Sequence, residues 1–304
     1  MQTAQKMVPT LVQQSNYLSA DDIDFVLKLS QEAGRIATQM RHKVAITQKT
    51  GPNDLVTEAD FALSKLLTTE LSSHFPDDII ISEEDEHAIT DKGMTCLKYG
   101  QDELKNKRIW LIDPIDGTES YIHNSTDFAV MIGLLVNLKP VFGWVCAPKL
   151  ETSYYGGPGY GAFKIADGAA EPVKYGSPRS LADSPERRVV IGSRDRRGNP
   201  WISEIPEISW VHAGSVGIKV AKVLDNIADV FIHLSGQLKM WDTAGPLAIA
   251  YGGGLEAGSF GTDGLSFDLP ALKHGTPVLI GRPGSLEWTR DIFRPHRTED
   301  NKLL

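Results

Sequence analysis

Apolar residues at Ile23, Val26, Leu27, Ile36, Ala37 and Met40 recur at intervals that keep them on one helix face. Ser19, Asp21 and Asp22 supply a cap and early acids, and Arg41, His42 and Lys43 put positive charge at the far end, so a helix is predicted over 21–41. Residues 1–18 have weak periodicity and read as a mobile lead-in. A short strand at 44–47 and a turn-rich loop over 49–54 come next. A second helix opens after Val56, with Leu63, Leu66, Leu67 and Leu71 on one face. Thr57 is its natural N-cap, and Asp60, three residues on, occupies the capping-box position. Ile79, Ile80 and Ile81 then form a buried strand that stops at Glu83, Glu84, Asp85 and Glu86. Residues 87–107 are polar and irregular, in the manner of a flap or insertion.

Beyond them the stripe gives way to alternation and apolar runs. Trp110, Leu111 and Ile112 lead directly into Asp113-Pro114-Ile115-Asp116-Gly117-Thr118, a buried strand ending in a tight turn, with a short helix over 118–123. Apolar runs at 128–136, 141–146, 151–155 and 161–164 are separated by turn residues and read as an antiparallel meander. Residues 1–175 are therefore two helices packed on a sheet, an N-terminal α+β domain. The stretch 168–186, rich in Ala, Gly, Pro and Ser, is the candidate inter-domain connection. Residues 176–304 read as an α/β domain, with strands at 188–191, 210–212, 229–233 and 277–281. Helices follow Gly217 and Asp242, the second with Pro246 in its first turn, where proline is tolerated. A short strand follows Leu255, and the polar tail from Arg282 carries no signal.

A chain of 304 residues with 41% hydrophobic and 23% charged positions can bury an ample core. Its formal charge of −8 argues against general affinity for nucleic acid polymers or anionic membranes. Cys96 and Cys146 form neither a metal-ligand spacing nor a disulfide framework, which points to a reducing compartment. The first residues lack the basic and apolar regions of a signal peptide, and no apolar run nears the roughly 20 residues that cross a bilayer. A cytoplasmic location, and a monomer or homodimer, are the resulting expectations.

The candidate chemistry lies where apolar strands end in acids. Proline and glycine in the 113–118 turn can aim Asp113, Asp116 and the Ile115 carbonyl at one point. Such an all-oxygen set suits Mg2+ shared with a phosphate. Free N–H groups at the start of the short helix could meet phosphate oxygens, and the Thr118 hydroxyl could orient a nucleophile. Glu83 and its neighbours repeat the pattern of a strand ending in paired carboxylates, although acidic runs are commonly solvated loops. Asp60 is either a helix cap or a group that touches a metal or the attacking water. Asp242 is either an N-cap or the carboxylate that closes a metal site between the domains. Gly214, Ser215 and Lys219 at a helix start are candidate anion ligands.

Taken together, the stretch 56–60, the pair Glu83 and Glu84, residues 110–118 and the Trp241-Asp242 pair resemble, in order and spacing, the inositol monophosphatase-like, lithium-sensitive phosphatase superfamily. The resemblance spans about 21–280. It implies a layered α/β/α/β/α sandwich with two or three Mg2+ ions between the halves, inhibition by Li+, and a small phosphate ester as substrate. It implies that Glu83, Asp113, Asp116, Asp242 and the Ile115 carbonyl are metal ligands, with Glu84 behind them. Gly117 and Thr118 would hold phosphate, and Asp60 with Thr118 would prepare the attacking water. Glu83, Asp116 and Asp242 would also face the substrate. Trp241-Asp242-Thr243 with Pro246 is similar to 3'(2'),5'-bisphosphate nucleotidases, as is Gly214-Ser215 followed by Lys219. Between Leu234 and Met240 there is no acid of the kind inositol monophosphatases place against inositol hydroxyls, and Lys239 suits a second phosphate better. Glu119 departs from the lysine that nucleotidases usually carry there. The resemblance implies hydrolysis of adenosine 3',5'-bisphosphate, with an inositol monophosphatase, a broad phosphatase or a catalytically silent binding protein as alternatives.

Overall fold

The computed structural model describes residues 15–41, 46–48, 55–84, 88–91, 94–173, 186–269 and 271–294. Most of the lead-in, the loop at 49–54, Asp85, Glu86 and the greater part of the connection after residue 173 lie outside these residues. Helix α1 (Ala20–Met40) starts at Ser19, whose hydroxyl accepts from the Asp22 N–H while the Asp22 carboxylate accepts from the Ser19 N–H. Strands β1 (Ile46–Gln48) and β2 (Leu55–Thr57) pair antiparallel. Helix α2 (Glu58–His74) carries the capping box expected of Thr57 and Asp60. There follow β3 (Ile79–Ser82), β4 (Ala88–Asp91), β5 (Met94–Leu97), α3 (Gln101–Leu104), β6 (Arg108–Asp116) and α4 (Thr118–Ile122). The meander is β7 (Ala129–Val136), β8 (Lys139–Ala147), β9 (Thr152–Gly157), β10 (Gly161–Ala166) and β11 (Ala169–Pro172).

The second half runs β12 (Arg187–Ile191), α5 (Ser193–Gly198), β13 (Ile208–Val211), α6 (Val216–Leu224), β14 (Val230–His233) and α7 (Met240–Gly252). It ends with β15 (Glu256–Gly258), β16 (Val278–Gly281) and α8 (Ser285–Phe293). Three expectations need correction. The irregular flap is a hairpin, β4 against β5, followed by the single turn α3. The connection does not begin at 168, because β11 extends the meander by pairing with β10. The tail is not featureless: α8 buries Leu286 and all of Phe293, and a fully buried Phe is worth about 1.5–3 kcal/mol.

One sheet has the order β11-β10-β9-β8-β7-β6-β3, with β3 parallel to β6 and the meander antiparallel. The other has the order β13-β12-β14-β16-β15, its first three strands parallel. Alternation along β6 assigns its two faces. Trp110 and Ile112 pack with Val26 and Leu27 of α1 and Leu63 and Leu67 of α2. Ile109 and Leu111 enter a core shared with α6, α7 and the second sheet through Phe231 and Ile280. Val189, Ile232 and Leu279 point the other way, toward Phe293 of α8. The layers are thus helices, sheet, helices, sheet, helix: the α/β/α/β/α sandwich. Helix α7 lies directly on β7 and β8, since a Cβ on Gly133 or Gly143 would collide with the backbone of Gly245. That backbone contact fixes where the start of α7 can be. Among the described residues no helix is long and apolar enough to cross a membrane.

Candidate active site

Strands β3 and β6 run parallel with Ser82 beside Ile112, so their carboxyl ends lie together. The Glu83 N–H continues the ladder by donating to the Ile112 carbonyl at 3.0 Å, which brings Glu83 alongside Asp113. Residues three apart on a regular strand face opposite ways. The pairing of β6 with β7 shifts register between Asp113 and Asp116, and such an irregularity re-aims side chains, so both carboxylates line one cavity. Gly117 turns the chain at φ 88°, where a Cβ would also strike the Asp127 carbonyl.

The cavity has a volume of about 450 Å³ and lies between the two halves. Glu83, Asp113, Asp116 and Thr118 line it from the first half, Lys219 and Asp242 from the second. Asp242 is not the N-cap of α7. The helix starts at Met240 with Lys239 as cap, and the Asp242 carboxylate accepts from the Lys239 N–H at 2.8 Å. Pro246 consequently stands inside the helix rather than in its first turn, and its missing N–H leaves the Asp242 carbonyl without that helical partner.

Burial, then the charges of Glu83, Asp116, Asp242 and Asp60, holds the Asp113 carboxyl well above the usual carboxylate range. Burial, then Glu83 and Asp116, does the same at Asp242. Burial also raises Asp116, against a hydrogen bond from Ser215, the charge of Lys219 and the Gly217 N–H. Burial lowers Lys219, while Asp116, Asp195, Asp242 and Asp127 oppose the shift. Among the described residues no three His, Cys, Asp or Glu side chains are drawn into a ligating cluster. The donor set nevertheless fits a hard divalent cation, being all oxygen and repelling itself in a buried place. Asp113 Oδ1 is buried without a hydrogen-bond partner, a polar atom left for such an ion to satisfy.

Other residues expected at the site are placed less simply. Ile115, Gly117 and Gly214 line the cavity, and the Thr118 hydroxyl donates to the Ile115 carbonyl at 3.1 Å. Asp60 is buried behind the turn, accepting from the Thr57 N–H at 2.8 Å and from the Thr57 hydroxyl. Its charge is felt at Asp113, but it is absent from the described lining residues. Glu84 follows Glu83 in the same turn and is half-buried. Ser215 is fully buried: its hydroxyl donates to Asp116 and accepts from the Ile218 N–H, so it is committed to the protein rather than to a ligand. Lys219 Nζ donates to the Gly214 carbonyl at 2.8 Å. Lys239 is outside the described lining and stands over the Trp241 ring at 5.6 Å.

Sequence reasoning missed the wall formed by Arg194, Asp195 and His233. His233 Nδ1 lies 3.1 Å from an Asp195 carboxylate oxygen, which also accepts from the Leu234 N–H. Burial disfavours the Asp195 anion, yet these bonds and the charges of His233 and Lys219 hold its pKa below the usual value. A signal existed. Ligands of open parallel sheets gather outside the carboxyl ends of the strands, and these residues follow β12 or end β14.

The profile of the inositol monophosphatase family matches residues 20–267. The 3'(2'),5'-bisphosphate nucleotidase CysQ of Aggregatibacter actinomycetemcomitans is 31% identical over 221 residues, covering 72% of this chain and 77% of that protein. Inositol monophosphatase 3 of Solanum lycopersicum is 28% identical over 261 residues, covering 83% and 90%. Among solved structures, an IMPase of Thermotoga maritima superposes with a TM-score of 0.71 at 25% identity, covering 90% of this chain and 97% of that one.

Proposed function

The chain belongs to the inositol monophosphatase family and is a phosphatase of that superfamily, whose members use Mg2+ and small phosphate esters; from that premise we propose that it is a Mg2+-dependent 3'(2'),5'-bisphosphate nucleotidase, converting adenosine 3',5'-bisphosphate to AMP and phosphate. Glu83, Asp113, Asp116, Asp242 and the Ile115 carbonyl would hold two to three ions, open to inhibition by Li+. Bound there, Mg2+ would neutralise the phosphate and lower the pKa of a bound water.

The observation that carries the hydrolytic reading is Asp113, whose unpartnered buried oxygen sits among carboxylates that raise its pKa. The Thr118 O–H donates its hydrogen bond to the Ile115 carbonyl, so the hydroxyl oxygen's lone pairs accept from the attacking water. Asp60 stands behind and keeps the start of α2 in place through its capping bonds. Ser215 and the Gly217 N–H fix the Asp116 carboxylate across the domain junction. No covalent enzyme intermediate is needed for in-line attack by water.

Nucleotide over inositol phosphate is supported by the wall opposite the carboxylates. It offers Arg194, Lys219 and His233, and the loop from Leu234 to Met240 contains no acid to receive inositol hydroxyls. The likeness to CysQ points the same way. A second reading, inositol monophosphatase, is favoured by Glu119, an acid at the cavity rim. Phosphate release from adenosine 3',5'-bisphosphate and from inositol 1-phosphate, with Mg2+ alone and with Li+ added, separates the two. Faster release from the nucleotide is expected; preference for inositol 1-phosphate overturns the nucleotide assignment. No release from either ester would indicate a silent binding protein. Asp242→Asn should abolish turnover in a folded chain, and a variant that keeps its rate would remove Asp242 from the ligand set.

A further inference from the structure

Arg194 and Glu119 face each other across the cavity, one from each half of the molecule. Glu119 follows Thr118 on α4, Arg194 lies on α5 just past the carboxyl end of β12, and Nη2 stands 3.4 Å from Oε2. Both side chains are about half exposed, at 55% and 48%, and both line the cavity. Arg194 also lines an adjoining cleft of about 1010 Å³ that shares His233, Leu238 and Asp242 with the first cavity. Arg194 therefore borders both spaces that a ligand reaching from the carboxylates into this cleft would occupy.

The other cations are differently engaged. Lys219 is buried, gives a hydrogen bond to Gly214 and is surrounded by Asp116, Asp195, Asp242 and Asp127. Lys239, the residue that the sequence favoured for a second phosphate, stacks on Trp241. Arg194 instead reaches the rim, where its ion pair with Glu119 is easily given up. An ion pair this exposed is weak and screened by salt, whereas a guanidinium presents a planar fork matched to two phosphate oxygens.

We propose that Arg194 is the specificity-determining residue that receives a second phosphate of the substrate, and that Glu119 holds it across the cavity mouth until that phosphate displaces the carboxylate. Glu119 then works as a filter. A substrate with one phosphate gains nothing from opening the pair and meets the negative rim, whereas a bisphosphate exchanges one partner of Arg194 for a better one. This rests on the phosphatase reading of the same site, but not on the nucleotide scaffold.

The test therefore uses two scaffolds: adenosine 3'-monophosphate with adenosine 3',5'-bisphosphate, and inositol 1-phosphate with inositol 1,4-bisphosphate. In the wild type the bisphosphate of at least one pair should have the lower KM. In Arg194→Gln the bis-to-mono KM ratio should move about tenfold toward unity, the scale of a lost charged hydrogen bond, with kcat changing far less. Arg194→Lys, which keeps the charge but not the fork, should lie between. Glu119→Gln should lower KM for the bisphosphate several-fold, and this gain should shrink as salt is raised. If only the inositol pair is hydrolysed, the nucleotide assignment fails while a shifted ratio in Arg194→Gln still supports the subsite. A wild type with no preference for a second phosphate on either scaffold overturns the proposal. So does a folded Arg194→Gln, by circular dichroism, whose ratio is unchanged.

Discussion

Replacing Asp113 by Asn should make the metal-free protein more stable while removing its response to Mg2+. In the structure Asp113 is 2% exposed, its Oδ1 has no partner, and the carboxylates of Glu83, Asp116 and Asp242 line the same cavity. Its pKa is raised by burial first and by those charges second. For an acid with a raised folded-state pKa, the folded chain binds more protons than the unfolded one between the two pKa values. Stability therefore falls as pH rises through that window from about 3.9 upward, and the full cost is carried only above the folded-state pKa. Removing the charge relieves the burial of an anion among like charges, on the order of 1–3 kcal/mol. In a chain of 304 residues that corresponds to a rise in Tm of roughly 2–4 °C per kcal/mol at most. Mg2+ at a hundred times its Kd would add about 2.7 kcal/mol to the wild type, through binding to the folded state alone. Thermal unfolding at pH 8, with EDTA and with excess Mg2+, reads all four values. Asn should raise Tm in EDTA, and the Mg2+ increment should largely vanish. A variant less stable than wild type in EDTA, or one that gains as much from Mg2+, would refute the account of Asp113 as a charge awaiting a cation.

Arg41→Gln should cost at least about 2 kcal/mol in urea unfolding, because three carbonyls lose a charged donor together. The guanidinium reaches the carbonyls of Tyr121 at 2.8 Å, Ser120 at 2.9 Å and Ser125 at 2.5 Å, and stacks on Tyr121 and Phe128. Since these carbonyls belong to α4 and the loop beyond it, kcat should fall with it, and wild-type stability in the variant would show the clamp to be idle. His274, pushed down to about 4 by burial, accepts or donates a hydrogen bond at Thr243 beside Asp242. The folded chain then binds fewer protons than the unfolded one between about 6.5 and its own value, so this contribution is complete above pH 6.5 and is lost as pH falls through the folded pKa. His274→Gln should flatten the acid side of the stability curve, and an unchanged slope between pH 6.5 and 4 would count against it.

What could be read from the sequence follows from where local rules decide the structure. Thr57 and Asp60 sit three apart at a helix start, and their capping box forms from residues that are neighbours anyway. The pair Asp113 and Asp116 was legible, but the tight turn expected around Pro114 is a bulged continuation of β6 to Asp116, and the chain turns only at Gly117. Helix α7 shows where such rules fail. Asp242 is the better N-cap by residue type, yet the cap falls three residues earlier, at Lys239, where the Met240 N–H donates to the Leu272 carbonyl and Trp241 is buried. Tertiary contacts outweighed a capping preference that is typically worth about 1 kcal/mol. The hairpin at 88–97 and the bulge after Asp113 depend likewise on pairing partners that no local pattern names.

Arg194, Asp195 and His233 on the opposite wall were missed, unlike Gly214 and Lys219, for a different reason, and that reason joins the two halves of the site. Glu83 and Asp113 follow or end parallel strands of one sheet; Arg194, Gly214 and His233 follow or end parallel strands of the other. Both sheets point their parallel carboxyl ends at the same cavity. On the first sheet the ends carry clustered acids, a pattern with chemical meaning on its own. On the second they carry one Arg, one Gly and one His from segments some twenty residues apart, and only the parallel order of β13, β12 and β14 brings them together. An acidic half that holds cations and a mixed half that meets the rest of an ester is the division of labour that this arrangement permits. Variants of the first should therefore act on turnover and on Mg2+-dependent stability, and variants of the second on KM ratios between substrates.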